Sequence, residues 1–232
     1  MDARSYLTKV SLSVDVSAVR EAQQVLWDIL EEAKKSSLPA TPSALNALYT
    51  FKVPKLSPDG GCSLHDELDP KPYDLATVLG GRSVQNSFSL LTLDALVESV
   101  QQQLDCEWLG IYQRRELPSG PALVKLAYRG VESRAEFPLT EAFAKTSNNA
   151  AVALSGKARV LQDVRAHLAS GGAYYECDPR VQSEACLPLL DPNGKVVGII
   201  DAESSKANHF TDARLALLIS LATECPSHLP QR

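Results

Sequence analysis

Hydrophobic residues recur at helical spacing in several stretches of the chain. A long amphipathic helix is expected between residues 15 and 35, with Asp15 or Ser17 as its N-cap, and a shorter one from Thr41-Pro42. Three more helices are expected: residues 89–104, a helix that Thr140 caps and that ends at Gly156, and a last helix that Thr211 caps. The apolar stripe of the first helix is Val19, Ala22, Leu26, Ile29, Leu30 and Ala33.

Strand patterns lie between these helices. Residues 107–112 and 122–128 predict a hairpin around a turn at 118–120, and residues 159–164 predict a third strand. After a long loop at 165–182, residues 183–189 and 195–204 predict a second hairpin around Asp191-Pro192-Asn193-Gly194.

Antiparallel strands interleaved with helices indicate an α+β fold, in which helices cover one face of a central sheet and a ligand loop covers the other. Residues 52–74 carry four prolines and two glycines among charged residues and indicate an irregular connector. We expect residues 1–85 to form an N-terminal helical extension with this connector, and residues 86–232 to form the main domain.

Composition excludes several classes of function. A net charge of −5 and a pI near 5.4 argue against nucleic acid as a partner, and no apolar run is long enough for a membrane span. The N-terminus has no apolar signal core, so a cytoplasmic location is expected. The cysteines are odd in number and lack metal-ligand spacing, so we expect them to be thiols and not metal ligands; they are Cys62, Cys106, Cys177, Cys186 and Cys225. No cofactor is expected.

Candidate chemistry concentrates in residues 175–204. Because side chains alternate along a strand, Glu184 and Cys186 share one face of their strand, and Asp201 and Glu203 share one face of the next. These acids could lie where the strands become solvated. Alternatively they face a ligand that carries a positive charge or a hydrogen-bond acceptor, and clustering and partial burial would keep at least one of them protonated.

The order of elements resembles that of the GAF domain family. The resemblance covers about residues 89–229 and rests on a Lys-Val-Val-Gly strand that ends in Asp201, followed by the helix start Phe210-Thr211-Asp212. It implies a central antiparallel sheet with flanking helices.

A subset of residues is similar to the free methionine-(R)-sulfoxide reductases, which are GAF enzymes. Trp108, Gly110 and Tyr112 match a Trp-x-Gly-x-Tyr strand, Cys177-Asp178 matches the catalytic Cys-Asp step, and the other matches are Ser183-Glu184, Asp201 and Glu203. Reductases of this family carry further cysteines at and before the helix that precedes the third strand, where the nearest match in this chain is Asn148.

The resemblance implies roles for these residues. Cys177 would attack the sulfoxide, an acid among Glu184, Asp201 and Glu203 would protonate the departing oxygen, and another would bind the substrate ammonium. Cys186, or as the second candidate Cys106, would react with the sulfenic acid to form a disulfide. A thioredoxin-type reductant would then reduce that disulfide. The remaining expected substrate contacts are Trp108, Tyr112 and Asp178.

A second hypothesis stays open at this point. The chain could be a non-catalytic GAF module that binds a small molecule, or a regulatory piece that forms a homodimer through its N-terminal helix.

Overall fold

The computed structural model describes residues 1–36, 41–56 and 67–231. Cys62 and much of the expected connector lie outside the described residues. The elements in chain order are α1 (Ala3–Val10), α2 (Val16–Ser36), α3 (Pro42–Tyr49), β1 (Thr50–Phe51), β2 (Tyr73–Asp74), α4 (Leu75–Val78), α5 (Val84–Leu104), β3 (Trp108–Leu117), β4 (Gly120–Arg129), β5 (Glu136–Pro138), α6 (Glu141–Ala144), α7 (Asn148–Ser155), β6 (Arg159–Leu161), α8 (Val164–Ala169), β7 (Ser183–Leu190), β8 (Val196–Ser204) and α9 (Asp212–Glu224).

Six strands form the central sheet in the order β5-β4-β3-β8-β7-β6, and every neighbouring pair is antiparallel. The two predicted hairpins are β3-β4 and β7-β8, and β3 pairs with β8 to join them. Gly194 has a φ of 77° in the second hairpin turn, a conformation that glycine adopts without steric cost. The predicted α+β fold is confirmed.

Helices α5 and α9 pack on one face of the sheet, α2 packs on these two helices, and together they bury the larger hydrophobic core. Five residues of the stripe predicted for the first helix lie in or against this core: Val19, Ala22, Leu26, Ile29 and Leu30. The side chain of Ala33, the sixth, lies outside what the structure describes. The Tyr6 hydroxyl donates to Pro188 O (2.7 Å), and Ser220 Oγ donates to Val19 O (3.0 Å). The N-terminal helices therefore share one core with the sheet.

The prediction that helices cover only one face of the sheet is wrong, because a helix also packs on the opposite face. Helix α7 packs against β7 and β8 there, and the second hydrophobic cluster lies beneath it. The single helix predicted from Thr140 to Gly156 is wrong as well, because two helices occupy that stretch. Thr140 caps α6, and Ser147 Oγ then accepts from Ala150 N (3.3 Å) to cap α7.

Other boundaries also differ from the prediction. The strand predicted at residues 159–164 ends at Leu161, because Asp163 Oδ1 accepts from Ala166 N (2.8 Å) and caps α8. The loop expected at 165–182 therefore begins inside a helix, and α1 and β5 were not predicted. Helix α5 begins at Val84 behind the cap Ser83, five residues before the predicted start. Across the described ranges, no helix combines the length and the apolar character that crossing a membrane requires.

Candidate active site

Three neighbouring strands bring the candidate residues onto one face of the sheet. Glu184 of β7 is paired with Glu203 of β8, and Cys186 is paired with Asp201. On the other side of β8, Trp108 of β3 pairs with Glu203, and Gly110 pairs with Asp201. The predicted alternation is therefore confirmed in the register of the sheet.

A cavity lies between this face, helix α7 and the segments that precede β5 and β7. Seven of the eight residues expected in the site line it: Trp108, Tyr112, Cys177, Asp178, Glu184, Asp201 and Glu203. The cavity has a volume of about 30 Å³, which is room for about one or two water molecules. A ligand larger than a few atoms therefore requires residues that line the cavity to move.

The indole of Trp108 forms one wall of the cavity. Its Nε1 donates to Val131 O (3.2 Å), and its ring is stacked with Tyr112 at a centroid distance of 6.1 Å. A Cβ added to Gly110 would lie 2.2 Å from the Trp108 ring. Glycine is thus required between Trp108 and Tyr112, because the indole lies across the backbone there.

Two buried asparagines at the start of α7 bind the acids. Asn148 Nδ2 donates to Glu184 Oε2 (2.9 Å), and Asn149 Nδ2 donates to Asp201 Oδ2 (3.0 Å). Within the described residues, Asn148 Oδ1 is buried and accepts no hydrogen bond. A buried carbonyl oxygen without a donor is costly, and a ligand ammonium or hydroxyl in the cavity would satisfy it.

The three acids strongly perturb one another. Burial raises the pKa of Glu184, while hydrogen bonds from Tyr174 and Asn148 oppose that increase. Burial and then the charges of Glu184 and Glu203 raise the pKa of Asp201 well above its usual value. Burial, followed by the charges of Glu184 and Asp178, raises the pKa of Glu203 to about 8.

A hydrogen bond also links the carboxyls of Glu184 and Asp201. Two carboxyls can form such a bond only when one of them is protonated. Glu184 receives more donors than Asp201, and donors stabilise the ionised form. Asp201 therefore holds a proton more strongly than Glu184 does.

The segment that carries Cys177 is held at several points. Tyr175 N donates to Thr146 O (2.9 Å), and Arg134 Nη1 donates to the Tyr175 hydroxyl (2.9 Å). Asp178 accepts from Arg180 through both carboxylate oxygens, with Nη2 to Oδ2 at 2.7 Å. Asp178 thus lines the cavity while it is paired with an arginine, and Cys177 between these anchors is half-buried.

Cys186 is the expected site residue that does not line the cavity. Its Sγ donates to Asn149 Oδ1 (3.2 Å), and burial together with the charge of Asp201 raises the pKa of its thiol well above its usual value. Cys106 packs in the core on the helix side of the sheet. Cys106, the second candidate for the resolving thiol, precedes β3, which begins at Trp108, and does not line the cavity.

Sequence reasoning did not identify Asn149 or Tyr174. Asn149 follows a capping serine, where polar residues usually serve the helix end, and its contact with Asp201 joins residues 52 positions apart. Tyr174 is one of the groups that influence the pKa of Glu184. The available signal for the asparagines was their position: two amide side chains directly follow Ser147 on a helix that was expected to pack on the sheet.

Comparison with known proteins supports the same fold. A type II free methionine-R-sulfoxide reductase from Thermoplasma acidophilum superposes with a TM-score of 0.53 at 22% identity, covering 62% of this chain and 94% of that one. A GAF domain of a phosphoenolpyruvate-protein phosphotransferase from Coxiella burnetii gives 0.52 at 13%, covering 89% and 93%. The GAF domain region of a membrane protein from Geobacter sulfurreducens gives 0.51 at 16%, covering 62% and 94%.

No curated protein sequence matches this chain. The model of the GAF domain matches residues 90–227, which is more than half of the sequence. With the six-stranded sheet, its flanking helices and the cavity on one face, this match shows that the chain belongs to the GAF domain family.

Proposed function

We propose that this chain reduces free L-methionine-(R)-sulfoxide with thiols as the electron source. One observation carries the proposal: Cys177 and three clustered acids line the same cavity as Trp108 and Tyr112. A thiol that reacts with a sulfoxide needs a proton donor nearby, and a pocket for a free amino acid needs an anion for its ammonium. The similarity to the Thermoplasma acidophilum reductase concerns the fold alone. The proposed chemistry rests on these side chains.

The acids divide these tasks. Glu184 carries the negative charge and binds the substrate ammonium, and Asn148 Oδ1 offers a second acceptor beside it. Asp201 and Glu203 hold protons near neutral pH, since clustered charges and burial oppose their ionisation. Either of them supplies the proton that makes the sulfoxide oxygen a better leaving group, and Trp108 and Tyr112 pack against the S-methyl group.

The first step transfers oxygen between two sulfur atoms. The Cys177 thiolate attacks the sulfoxide sulfur, and the protonated oxygen passes to the Cys177 sulfur as methionine leaves. The sulfoxide is reduced by two electrons, and Cys177 is oxidised by two electrons to a sulfenic acid. A thiol then condenses with the sulfenic acid, water leaves, and a disulfide forms that a thioredoxin-type dithiol reduces.

Cys186 is our candidate for the resolving thiol. Its thiol must first leave Asn149, and α7 must shift, because Cys186 is buried behind the cavity. Substrate entry also requires lining residues to move, and Asn148 and Asn149 at the start of α7 are among them.

The test is NADPH oxidation coupled through thioredoxin and its reductase, with separate R and S epimers of free methionine sulfoxide. We expect turnover with the R epimer, little with the S epimer or with peptide-bound sulfoxide, and none in Cys177→Ser. Cys106→Ser is the matched control, because that thiol is buried outside the cavity. The absence of turnover with thioredoxin, glutathione and dithiothreitol would exclude the enzymatic function.

A non-catalytic sensor is the second candidate, and the position of Cys186 favours it. Among the described residues, Cys177 is the one cysteine that lines the cavity. A sensor would bind a small cationic molecule at Glu184 without turnover. Calorimetry with L-methionine, L-methionine-(R)-sulfoxide and related amines separates the two functions, since a sensor binds at least one ligand while NADPH is not consumed.

A further inference from the structure

The cavity has a hydroxyl on a different part of its wall from the three acids. Ser133 lines the cavity and lies in the connection between β4 and β5, whereas the acids lie on β7 and β8. In the sheet, β3 separates β4 and β5 from these two strands. A ligand with both an ammonium and a carboxylate therefore finds two chemically different walls in one cavity.

A buried ammonium holds Ser133 in place. Lys125 Nζ donates to Ser133 Oγ (2.9 Å) and to Ser133 O (2.8 Å), and the side chain of Lys125 is fully buried outside the cavity lining. An ammonium has three donors and no acceptor. The Ser133 hydroxyl therefore directs its proton away from Lys125 and acts as a donor whose oxygen lies next to a positive charge.

We propose that Ser133 binds the carboxylate of a free amino acid and that Lys125 is the positioning residue for it. The proposal rests on the proposed function, in which Glu184 binds the ammonium of the same ligand. The ammonium and the carboxylate of an amino acid are attached to one carbon atom, so the groups that bind them must face one small space. A cavity of about 30 Å³ that has both Ser133 and Glu184 on its wall meets this requirement.

The Ser133 hydroxyl exchanges its partner when the carboxylate binds. Burial raises the pKa of Tyr112 well above its usual value, and a hydrogen bond from Ser133 opposes that increase. The phenol of Tyr112 is therefore neutral near pH 7. An ionised carboxylate is the stronger acceptor, because a hydrogen bond to a charged group is about twice as strong as one between neutral groups. The carboxylate thus replaces Tyr112 as the acceptor.

Glu132 places an opposing charge on the same part of the wall. It precedes Ser133 in the chain and also lines the cavity. A carboxylate at Ser133 is attracted by Lys125 and repelled by Glu132, whereas a ligand without that carboxylate responds to neither charge at this wall. Loss of the Ser133 hydroxyl and loss of the Glu132 charge should therefore have opposite effects on carboxylate binding.

The test compares L-methionine-(R)-sulfoxide with the corresponding decarboxylated amine, which keeps the ammonium and the sulfoxide. Affinities are measured by calorimetry at pH 7 in Cys177→Ser protein, which prevents turnover. We expect Ser133→Ala to weaken binding of the amino acid about tenfold, the typical effect of one hydrogen bond to a charged group, and to leave the amine unchanged. Glu132→Gln should strengthen binding of the amino acid about threefold, the usual size of one charge interaction at a partly exposed site.

Two further variants separate this role from a structural one. Ser147→Ala is the matched control, because Ser147 is also a lining serine but caps α7, and it should change both affinities by the same factor. Lys125→Met should lower the ratio of amino-acid affinity to amine affinity. A loss of stability alone leaves that ratio unchanged, because it acts on both ligands equally.

The outcomes distinguish this proposal from the proposed function. An equal loss for both ligands in Ser133→Ala, or a selective loss of amino-acid binding in Ser147→Ala in its place, would overturn the role of Ser133 and leave the proposed function standing. A Ser133-dependent preference for the amino acid, in a protein that does not turn over the sulfoxide, would overturn the proposed function alone. Absence of binding of either ligand would overturn both.

Discussion

Asn148 Nδ2 lies 2.9 Å from Glu184 Oε2 at the first turn of α7, and both residues are buried. Asn148 stands at the nearest match to the position where the reductases that this chain resembles carry a cysteine. In this chain the side-chain amide of Asn148 instead holds the carboxylate of Glu184 in place. In the proposed reaction, the thiol that resolves the sulfenic acid must therefore come from another position.

Asn148→Cys should create a resolving thiol. Asn148 and Cys177 line the same cavity, so a thiol at the asparagine position can reach the sulfenic acid on Cys177. In a Cys186→Ser background, protein quenched after stoichiometric sulfoxide should show a disulfide between positions 177 and 148 by peptide mapping.

The control places the new thiol on the same helix but outside the cavity, by Ser155→Cys, and should show no such disulfide. A crosslink in the control, or none in Asn148→Cys protein whose Cys177 has been oxidised, would contradict the shared cavity.

The sequence predicted correctly which strand residues share one face of the sheet. It did not predict the helices and contacts that cover this face. Alternation along two strands was enough to place Glu184 beside Glu203 and Cys186 beside Asp201, since strand periodicity is fixed by the backbone. The break before α7 was missed because Ser147 begins a second helix inside a continuous helical pattern. The contact of Asn149 with Asp201 joins residues 52 positions apart, and local periodicity contains no information about it.

Gly110→Ala should displace the indole of Trp108. The added methyl group would lie 2.2 Å from the ring, far inside van der Waals contact. We expect a lower melting temperature, weaker ligand binding, and a red shift of Trp108 emission in the Trp27→Phe background. Adding Trp108→Phe should recover part of the lost stability, because the smaller ring leaves room for the methyl group. No recovery would mean that the indole does not cause the strain.

The stability of the ligand-free protein should depend on Glu203. Its pKa is raised to about 8 in the folded state, above the ordinary value of 4.5, so the folded state disfavours the charged form. The cost is absent below the ordinary pKa, grows as pH rises from about 5, and is complete above about 8. Glu203→Gln should therefore raise the melting temperature at pH 8 and change it little at pH 5.

Glu116→Gln is the control for this comparison, because Glu116 is exposed near the far end of β3. Its melting temperature should differ from that of the unaltered protein by the same small amount at both values of pH. A Glu203→Gln effect that is equal at pH 5 and pH 8 would show that Glu203 is solvated in the folded state.

Lys125 connects the N-terminal segment to the cavity wall. Its buried Nζ donates to Ser133 O (2.8 Å) and Oγ (2.9 Å), and lies over the rings of Tyr128 (3.8 Å) and Phe51 (4.9 Å). Lys125→Met should cost about 1–3 kcal/mol of unfolding free energy, because it leaves the Ser133 carbonyl without this donor. Phe51→Leu should couple to it in a double-mutant cycle by about 0.5–2 kcal/mol. Additive effects in urea unfolding would show that β1 does not stabilise the cation.

Oxidised Cys177 should form a disulfide with Cys186, but only after a sulfenic acid has accumulated. Cys186 is fully buried and donates to Asn149, and a disulfide requires Cα atoms about 4.4–6.8 Å apart. The Cys177 segment must therefore fold over β7 before the bond forms. Dimedone added early after one equivalent of sulfoxide should label Cys177, and later samples should contain the crosslink in its place. In Cys186→Ser, the dimedone-reactive form should persist. A crosslink to Cys106, or a sulfenic acid equally persistent in both proteins, would remove Cys186 from the reaction and leave the first step to Cys177 alone.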